Sequence, residues 1–306
     1  MNIGSKNALL LIALLYTSPI AAATEDPVAF RNRLREAVEI ARQGETRLAT
    51  RIAKQSVREW QGRENEYVAR YVLGVILQHQ GDLNDAFLEL QTVADHDDRL
   101  RDQATKRQVD ICRLLMSPER DNGKSPGRRS RRRVVGMLES ILMNDPLGAA
   151  AAAVHYHLGL YYEQAGRVEL AKHYYESAAD RAQVAEWYDR AFFGTARISY
   201  HEALASPRDM SLAAHAHHLL IRYLQDAFTE FYREVAMEMV DDIVAQIHES
   251  AFENARFYDH RRYPPRARIA AFQNFLRNYP HAPQADEAQQ RMEQLQLQFA
   301  AELDRD

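Results

Sequence analysis

The sequence contains little cysteine, glycine or proline. These shortages exclude intramolecular disulfides and argue against frequent breaks in helices. With 1 cysteine, Cys112, in 306 residues, no intramolecular disulfide can form, so the fold must be held by packing. Gly 12 and Pro 10 are both below average usage, which indicates long helices with few interruptions. The formal net charge of -4 shows no excess of positive charge, so nucleic acid is not an expected partner.

Long hydrophobic runs are also missing, apart from one near the N-terminus. The run from Ala8 to Tyr16 is shorter than the roughly 20 residues that a helix needs to cross a bilayer. Lys6 before it and the small residues Ala21 to Ala23 after it are typical of a cleaved export signal. We therefore expect a signal peptide over 1–23 and a periplasmic chain whose contact with the outer membrane is at most peripheral. Thr24 stands where a lipoprotein would carry its cysteine, so no lipid anchor is expected.

One pattern of residues recurs along the chain at fixed offsets. From Gly159, the positions 3, 7, 12, 16 and 19 residues further on are Tyr162, Gly166, Ala171, Tyr175 and Ala178. The same offsets give Leu77, Gly81, Ala86, Leu90 and Val93 from Gly74, and Ile40, Gly44, Ala49, Ala53 and Ser56 from Ala37. A glycine at offset 7 suits a left-handed helix end, and an alanine at offset 12 suits a close helix crossing. Each repeat is therefore predicted to be a pair of helices joined by a glycine turn.

The segment from Leu158 to Ala178, LGLYYEQAGRVELAKHYYESA, resembles the tetratricopeptide repeat. This resemblance implies an all-α, tetratricopeptide-like helix-turn-helix solenoid, in which stacked pairs bury faces that one pair cannot bury alone. It also implies binding to a protein or an extended peptide rather than catalysis. A helical bundle without solenoid stacking is the alternative.

The repeats are interrupted in the middle of the chain by a basic stretch. We expect a signal peptide (1–23), N-terminal repeats (24–116), a basic loop (117–133), central repeats (134–205) and C-terminal repeats (206–306). After the loop, Val134, Leu138 and Ile141 fit the second helix of a repeat whose turn has been lengthened by insertion. The loop ends in Arg128, Arg129, Arg131, Arg132 and Arg133, which can bind the phosphates of lipid headgroups or an acidic partner. A solvated loop is the alternative.

A fourth, divergent repeat lies near the C-terminus. The offsets from Ala255 give Tyr258, Arg262, Ala267, Ala271 and Asn274, with Pro264 and Pro265 at the turn. The segment Glu253 to Leu295 resembles the BamD family of outer-membrane assembly proteins, and the likeness extends back to Arg208. It implies a scaffold at the periplasmic face of the outer membrane that binds components of β-barrel assembly. The lipid-attachment cysteine of that family is missing here, and loop 117–133 matches no part of its pattern. A scaffold for polysaccharide or peptidoglycan machinery is the alternative function.

Ligands of such solenoids usually lie on the face lined by the first helix of each pair. The positions predicted to face a partner are Tyr71, Gln78, His79, Tyr156, Glu163, Gln164, Phe252, Asp259 and His260. A sugar platform of Tyr156 and Tyr161 is a weaker hypothesis.

Signatures of catalysis are missing from the sequence. No phosphate loop, dinucleotide fingerprint or G-x-S-x-G motif is present. His215 and His218 share a helix face, but no third metal ligand is placed by the pattern. We therefore predict no catalytic residue, no metal and no cofactor, with a metal-dependent enzyme as an unlikely alternative.

Overall fold

The computed structural model describes residues 27–63, 65–117 and 127–303, and it leaves out the side chains of Pro27, Arg128 and 301–303. Every regular element in these ranges is an α-helix. The helices are α1 (Pro27–Arg42), α2 (Thr46–Glu59), α3 (Glu66–Gln80), α4 (Leu83–His96), α5 (Asp98–Met116), α6 (Arg128–Asn144), α7 (Ala151–Gln164), α8 (Val168–Asp180), α9 (Ala185–Ala205), α10 (Met210–Asp226), α11 (Arg233–Tyr258), α12 (Pro265–Asn278) and α13 (Ala285–Leu303). The expected signal peptide and most of the basic loop lie outside the described residues.

Three of the turns carry the glycine that the repeat pattern predicts. Gly44, Gly81 and Gly166 follow α1, α3 and α7 with φ of 93°, 92° and 71°. At the second turn, Gly81 N donates to Gln78 O and Asp82 N donates to Leu77 O, the two hydrogen bonds of a Schellman motif. The prediction of helix pairs with left-handed glycine turns is confirmed, and the fold is all-α and tetratricopeptide-like.

Close helix crossings at the predicted small residues hold each pair together. Ala49, Ala86 and Ala171 are fully buried. A Cβ on Gly74 would lie 2.9 Å from Leu90 Cγ, so the residues at offsets 0 and 16 are in direct contact. The template positions therefore have the packing roles that the sequence predicts for them.

The insertion also lies where it was expected. α5 and α6 form the pair whose turn is lengthened, and Val134, Leu138 and Ile141 are buried on α6. However, α6 begins at Arg128, so the last part of the expected loop, 128–133, is helical. Arginine has a high helix propensity, which favours extension of the helix toward its N-terminus.

The chain divides into two compact units between Tyr161 and Tyr162, inside α7. In the first unit, consecutive helices from α1 to α6 pack together, and the first helices α1, α3 and α5 also contact one another in order. In the second unit, consecutive helices from α8 to α13 pack together, and α9 also contacts α11. This division falls within the expected central repeats (134–205). No helix of the described ranges is long and apolar enough to cross a membrane.

Candidate functional site

A polar cluster joins two first helices of the first unit. From α5, Arg107 donates through Nε to the hydroxyl of Tyr71 at 2.8 Å and through a terminal nitrogen to Oε1 of Gln78 at 3.2 Å, both on α3. Its guanidinium carbon lies 5.6 Å from the centroid of the Tyr71 ring, within the range of a cation–π contact. We call this the α3–α5 surface and define it by Tyr71, Gln78, His79, Gln103 and Arg107.

The α3–α5 surface keeps hydrogen-bonding capacity for a partner. Gln103 lies one turn before Arg107 on α5, and its Oε1 is buried with no hydrogen-bond partner among the described residues. A guanidinium has five N–H donors, whereas Arg107 donates to Tyr71 and Gln78 alone in the described part of the chain. His79, in the last turn of α3, is exposed. The accessible groups of this surface are therefore a cation with spare donors and an exposed imidazole, since Oε1 of Gln103 is buried.

An ion-pair network fixes α3 against its partner helix α4. Arg70 donates to Glu66 on its own helix at 2.7 Å and to Glu89 on α4 at 2.9 Å. Burial would raise the pKa of the Glu66 carboxyl, but hydrogen bonds from Gly62 N and Arg70 outweigh burial and hold that pKa below its usual value. These ion pairs therefore tie the helix that carries Tyr71 and Gln78 to α4.

A second polar cluster lies in the second unit. Glu163 on α7 accepts from Arg197 on α9, with nitrogen–oxygen distances of 3.0 and 2.7 Å, and from the hydroxyl of Tyr175 at 2.5 Å. Arg197 also lies over the ring of Phe193, 5.6 Å from its centroid. Glu163 is therefore engaged in holding α7, α8 and α9 together, while Gln164 beside it is exposed.

A buried carboxylate fixes the turn between α10 and α11. Asp189 on α9 is fully buried and accepts from Phe228 N at 3.0 Å and from Thr229 N at 2.6 Å. The turn leaves Phe228 and Phe231 largely exposed, at 72% and 60%. Arg190 lies 5.1 Å from the centroid of the Phe231 ring.

The turn between α11 and α12 is fixed by one carboxylate and two arginines. Asp259 accepts from Arg268 on α12 at 2.8 Å and from Arg291 on α13 at 2.5 Å. Burial raises the pKa of Asp259, but both guanidinium groups outweigh burial and lower it below the usual value. His260 follows on the surface, and its Nδ1 accepts from Arg262 N at 3.2 Å.

The predicted partner-facing residues separate into two groups. Gln78, His79, Gln164 and His260 are accessible to solvent in whole or in part, whereas Tyr71 and Tyr156 are buried. Phe252 is also buried, in a core cluster with Phe272, Phe275 and Leu295, so its ring does not face solvent. The structure places Tyr71 with Gln78, and Asp259 beside His260. Whether any of these residues binds a partner stays a prediction.

The predicted anion contacts lie at the start of α6. Arg129, Arg132 and Arg133 are exposed, and Arg131 is half-buried. Arg133 donates to Asn84 Oδ1 on α4 at 3.3 Å. The side chain of Arg128 lies outside the described residues, and anion binding stays a prediction.

The weaker hypotheses find no supporting geometry in the described ranges. His215 and His218 are exposed on α10, and the described residues contain no group of three His, Cys, Asp or Glu side chains suited to a metal ion. For the sugar platform, Tyr156 is buried, and the neighbouring Tyr162 stacks on Tyr174 at 5.2 Å. That stack gives Tyr162 a packing role.

Sequence reasoning missed Arg107, Gln103, Arg197 and Asp189. Arg107 is 36 residues from Tyr71, in a pair that the repeat template did not cover, so no offset pointed to it. Asp189 could have been found from the sequence, since a lone carboxylate between aromatic residues, in WYDRAFF, suggests a buried side chain with a specific partner. The aromatic residues of DAFTEFY could likewise have indicated the turn.

No protein-family model matches the sequence, and neither does any curated protein sequence. The chain is similar to several solved structures. A tetratricopeptide repeat protein from Parabacteroides merdae is 12% identical, with 88% of this chain and 98% of that chain covered and a TM-score of 0.38. MamA from Desulfovibrio magneticus RS-1, from residue 41 to the end, is 16% identical, with 74% and 98% covered and a TM-score of 0.36. A double mutant of MamA is 17% identical, with 72% and 94% covered and a TM-score of 0.34. Likeness at this level carries no argument about function, and the fold assignment stands on the helix pairs themselves.

Proposed function

We propose that this chain is a non-catalytic scaffold that binds an extended peptide or a protein segment on the α3–α5 surface, in the assembly of the cell envelope. The observation that carries the proposal is the Arg107 guanidinium, which joins Tyr71 and Gln78 on α3 and keeps further N–H donors on a partly exposed side chain. Carbonyl oxygens of a bound peptide would accept from these donors.

Gln103, whose side chain is partly exposed, adds a polar amide to the same helix face. An extended peptide presents N–H and C=O groups in alternation, so it needs acceptors and donors side by side. Gln103 and Arg107 are four residues apart on α5, and side chains at that spacing lie on the same face of a helix. The cation–π contact with Tyr71 holds the guanidinium in place before binding, which reduces the entropy lost on association.

Support for an envelope location comes from the sequence. The N-terminal segment has the order of an export signal, with Lys6, a short apolar run and small residues up to Ala23. The C-terminal resemblance to outer-membrane assembly proteins points to the same compartment. The proposed partners are therefore envelope proteins, including components or substrates of outer-membrane assembly.

Site-specific crosslinking tests the proposal in cells that produce the full chain. A photoreactive amino acid replaces His79, which is exposed on the α3–α5 surface, and in a matched strain it replaces Leu88, which is exposed on α4. We expect a discrete crosslinked envelope protein from position 79 and none from position 88. The substitution Arg107→Ala should remove most of this product, because it removes the guanidinium donors that bind the peptide in this proposal.

Arg113→Ala is the control, since Arg113 is an exposed arginine on the same helix that forms an ion pair with Asp110. It should leave the crosslink at position 79 unchanged. Equal crosslinking from positions 79 and 88 would show that the α3–α5 surface is not the binding surface. If the chain is protected from protease in cells with a permeabilised outer membrane, it lies in the cytoplasm. That result would overturn the envelope location but not the binding surface.

A further inference from the structure

An exposed group of aromatic rings surrounds the turn between α11 and α12. The ring centroids of Phe257 and Tyr258 are 5.6 Å apart, those of Tyr258 and Tyr263 are 5.0 Å apart, and those of Phe257 and Tyr263 are 6.0 Å apart. Phe257 is 57% exposed. Each ring touches the other two, so they form one continuous apolar surface, whereas a single exposed apolar residue would need no explanation.

Arginines cover and flank this aromatic surface. The guanidinium of Arg262 lies 5.1 Å from the centroid of Phe257 and 4.8 Å from that of Tyr263. Arg261 and Arg266 are exposed beside it. We define the basic aromatic turn as Phe257, Tyr258, Arg261, Arg262, Tyr263 and Arg266.

The positive charge of the basic aromatic turn is not neutralised within the described residues. Between positions 256 and 268, Asp259 is the one carboxylate, against five arginines. That carboxylate is bound by Arg268 and Arg291. No carboxylate in the described ranges forms an ion pair with Arg261, Arg262 or Arg266. The turn is therefore strongly cationic in a chain whose net charge is -4.

The turn is held in one conformation before any partner arrives. Asp259 ties it to α12 and α13, and the rings of Pro264 and Pro265 fix φ at the start of α12. His260 Nδ1 accepts from Arg262 N across the turn. Such preorganisation lowers the entropy cost of binding.

We propose that the basic aromatic turn binds an acidic peptide segment that carries an aromatic or large aliphatic residue. The apolar side chain of the segment packs on Phe257 and Tyr263, and its carboxylates pair with Arg261, Arg262 and Arg266. Arginine guanidinium groups match the two oxygens of a carboxylate, and stacking on a ring holds the guanidinium plane in place. An anionic bilayer extends well beyond one turn and would meet the net negative charge of the whole chain, whereas a short peptide meets mainly the positive charge within about 8 Å of the turn. This surface is additional to the α3–α5 surface and does not depend on it.

Fluorescence anisotropy of a synthetic peptide with one tryptophan flanked by glutamates tests the inference on the full chain. A second peptide has glutamine in place of every glutamate. We expect the glutamate peptide to bind and the glutamine peptide to bind at least about tenfold more weakly, because charge complementarity dominates at a cationic surface. The variant Arg261→Gln/Arg262→Gln should weaken the glutamate peptide by about tenfold and flatten its salt dependence.

Two further variants separate the contributions. Arg277→Gln removes an exposed arginine of α12 whose hydrogen bond is to Asn274, and it should leave the affinity unchanged. Phe257→Ser should lower the affinity and change the salt dependence less than the double variant does, because it removes apolar contact and no charge. Circular dichroism of each variant checks that the helices are retained.

Three outcomes would overturn the inference. The first is equal binding of the glutamate and glutamine peptides, or no binding of either. The second is an equal loss of affinity in Arg277→Gln and in the double variant. The third is binding to phosphatidylglycerol vesicles that depends on Arg261 and Arg262 when the glutamate peptide does not bind, which would identify a lipid surface instead. None of these outcomes bears on crosslinking at position 79.

Discussion

The carboxylate of Asp189 accepts a hydrogen bond from the backbone N–H of Thr229 at 2.6 Å, which ties α9 to a turn 40 residues further along the chain. The neighbouring N–H of Phe228 donates to the other oxygen at 3.0 Å. Both N–H groups belong to the segment between α10 and α11, which has no regular structure to satisfy them. One buried carboxylate therefore determines the conformation of the turn that exposes Phe228 and Phe231.

The first prediction concerns this carboxylate. Asp189→Ala should lower the free energy of unfolding by about 2–4 kcal/mol, because it leaves two backbone N–H groups without their charged acceptor. Urea unfolding followed by circular dichroism measures the change. The control is Glu186→Ala, which removes a surface ion pair with Arg190 and should cost less than about 1 kcal/mol. Equal effects of the two substitutions would contradict the structural role of Asp189.

The second prediction concerns two helical glycines that differ in their surroundings. A Cβ on Gly194 would lie 2.8 Å from the ring of Tyr175, which is fully buried and cannot move aside, so Gly194→Ala should destabilise the protein by about 1–3 kcal/mol. A Cβ on Gly136, in α6, would meet no atom within 4 Å. Gly136→Ala should therefore stabilise the protein by about 0.5–1 kcal/mol, because alanine has the higher helix propensity. The midpoints of thermal unfolding of the two variants should shift in opposite directions. A shift in the same direction would contradict the close contact of Gly194 with the ring of Tyr175.

The helix pairs could be predicted from the sequence because their causes are local. The left-handed turn at Gly81 and the close contact of Gly74 with Leu90 depend on residues within one repeat. A small residue or a glycine at a fixed offset therefore leaves a visible pattern. The lengthened turn before α6 could be predicted for the same reason, since breakers and charges interrupt the pattern.

The α3–α5 surface was harder to predict because it depends on a contact between repeats. Arg107 meets Tyr71 across 36 residues, and no offset within one repeat encodes that contact. Phe252 was predicted to face a partner by its offset from Ala255, yet it packs inward against Phe272 and Phe275. α11 has 26 residues, longer than a helix of the template, so its buried face follows its packing against α12 rather than the template offsets.

The third prediction concerns buried groups that resist ionisation. Burial, followed by the hydrogen bond to Asp242, raises the pKa of Tyr200 to about 12, and burial raises the pKa of the Cys112 thiol to about 12. Each group therefore binds its proton more tightly in the folded state than in the unfolded state. The stability that the two groups contribute is complete below their pKa values in the unfolded chain, and it is lost as the pH rises toward 12.

Urea unfolding at increasing alkaline pH should accordingly show a steady fall in stability, and Tyr200→Phe should make that fall shallower. In the same range, thiol reagents should modify Cys112 at the rate of unfolding rather than at the rate of an exposed thiol. A slope for Tyr200→Phe identical to that of the original chain would show that the Tyr200 hydroxyl does not contribute. Fast modification of Cys112 in the folded protein would show that its site is open to solvent.

The last prediction concerns the carboxylate that fixes the basic aromatic turn. Arg291 and Arg268 lower the pKa of Asp259 despite its burial, so its contribution to stability is present above the ordinary carboxyl pKa and is lost as the pH falls below it. Asp259→Asn should lower the stability at neutral pH by about 1–3 kcal/mol, because both guanidinium groups lose a charged partner. It should also make stability less dependent on pH in the acid range. It should speed tryptic cleavage within α13, because α13 loses its ion pair with the turn between α11 and α12. The control is Glu253→Gln, which breaks an exposed ion pair with Arg256 on the same helix and should leave the cleavage pattern unchanged. If α13 resists trypsin equally in both variants, apolar contacts such as those of Leu295, rather than Asp259, hold the terminal helix.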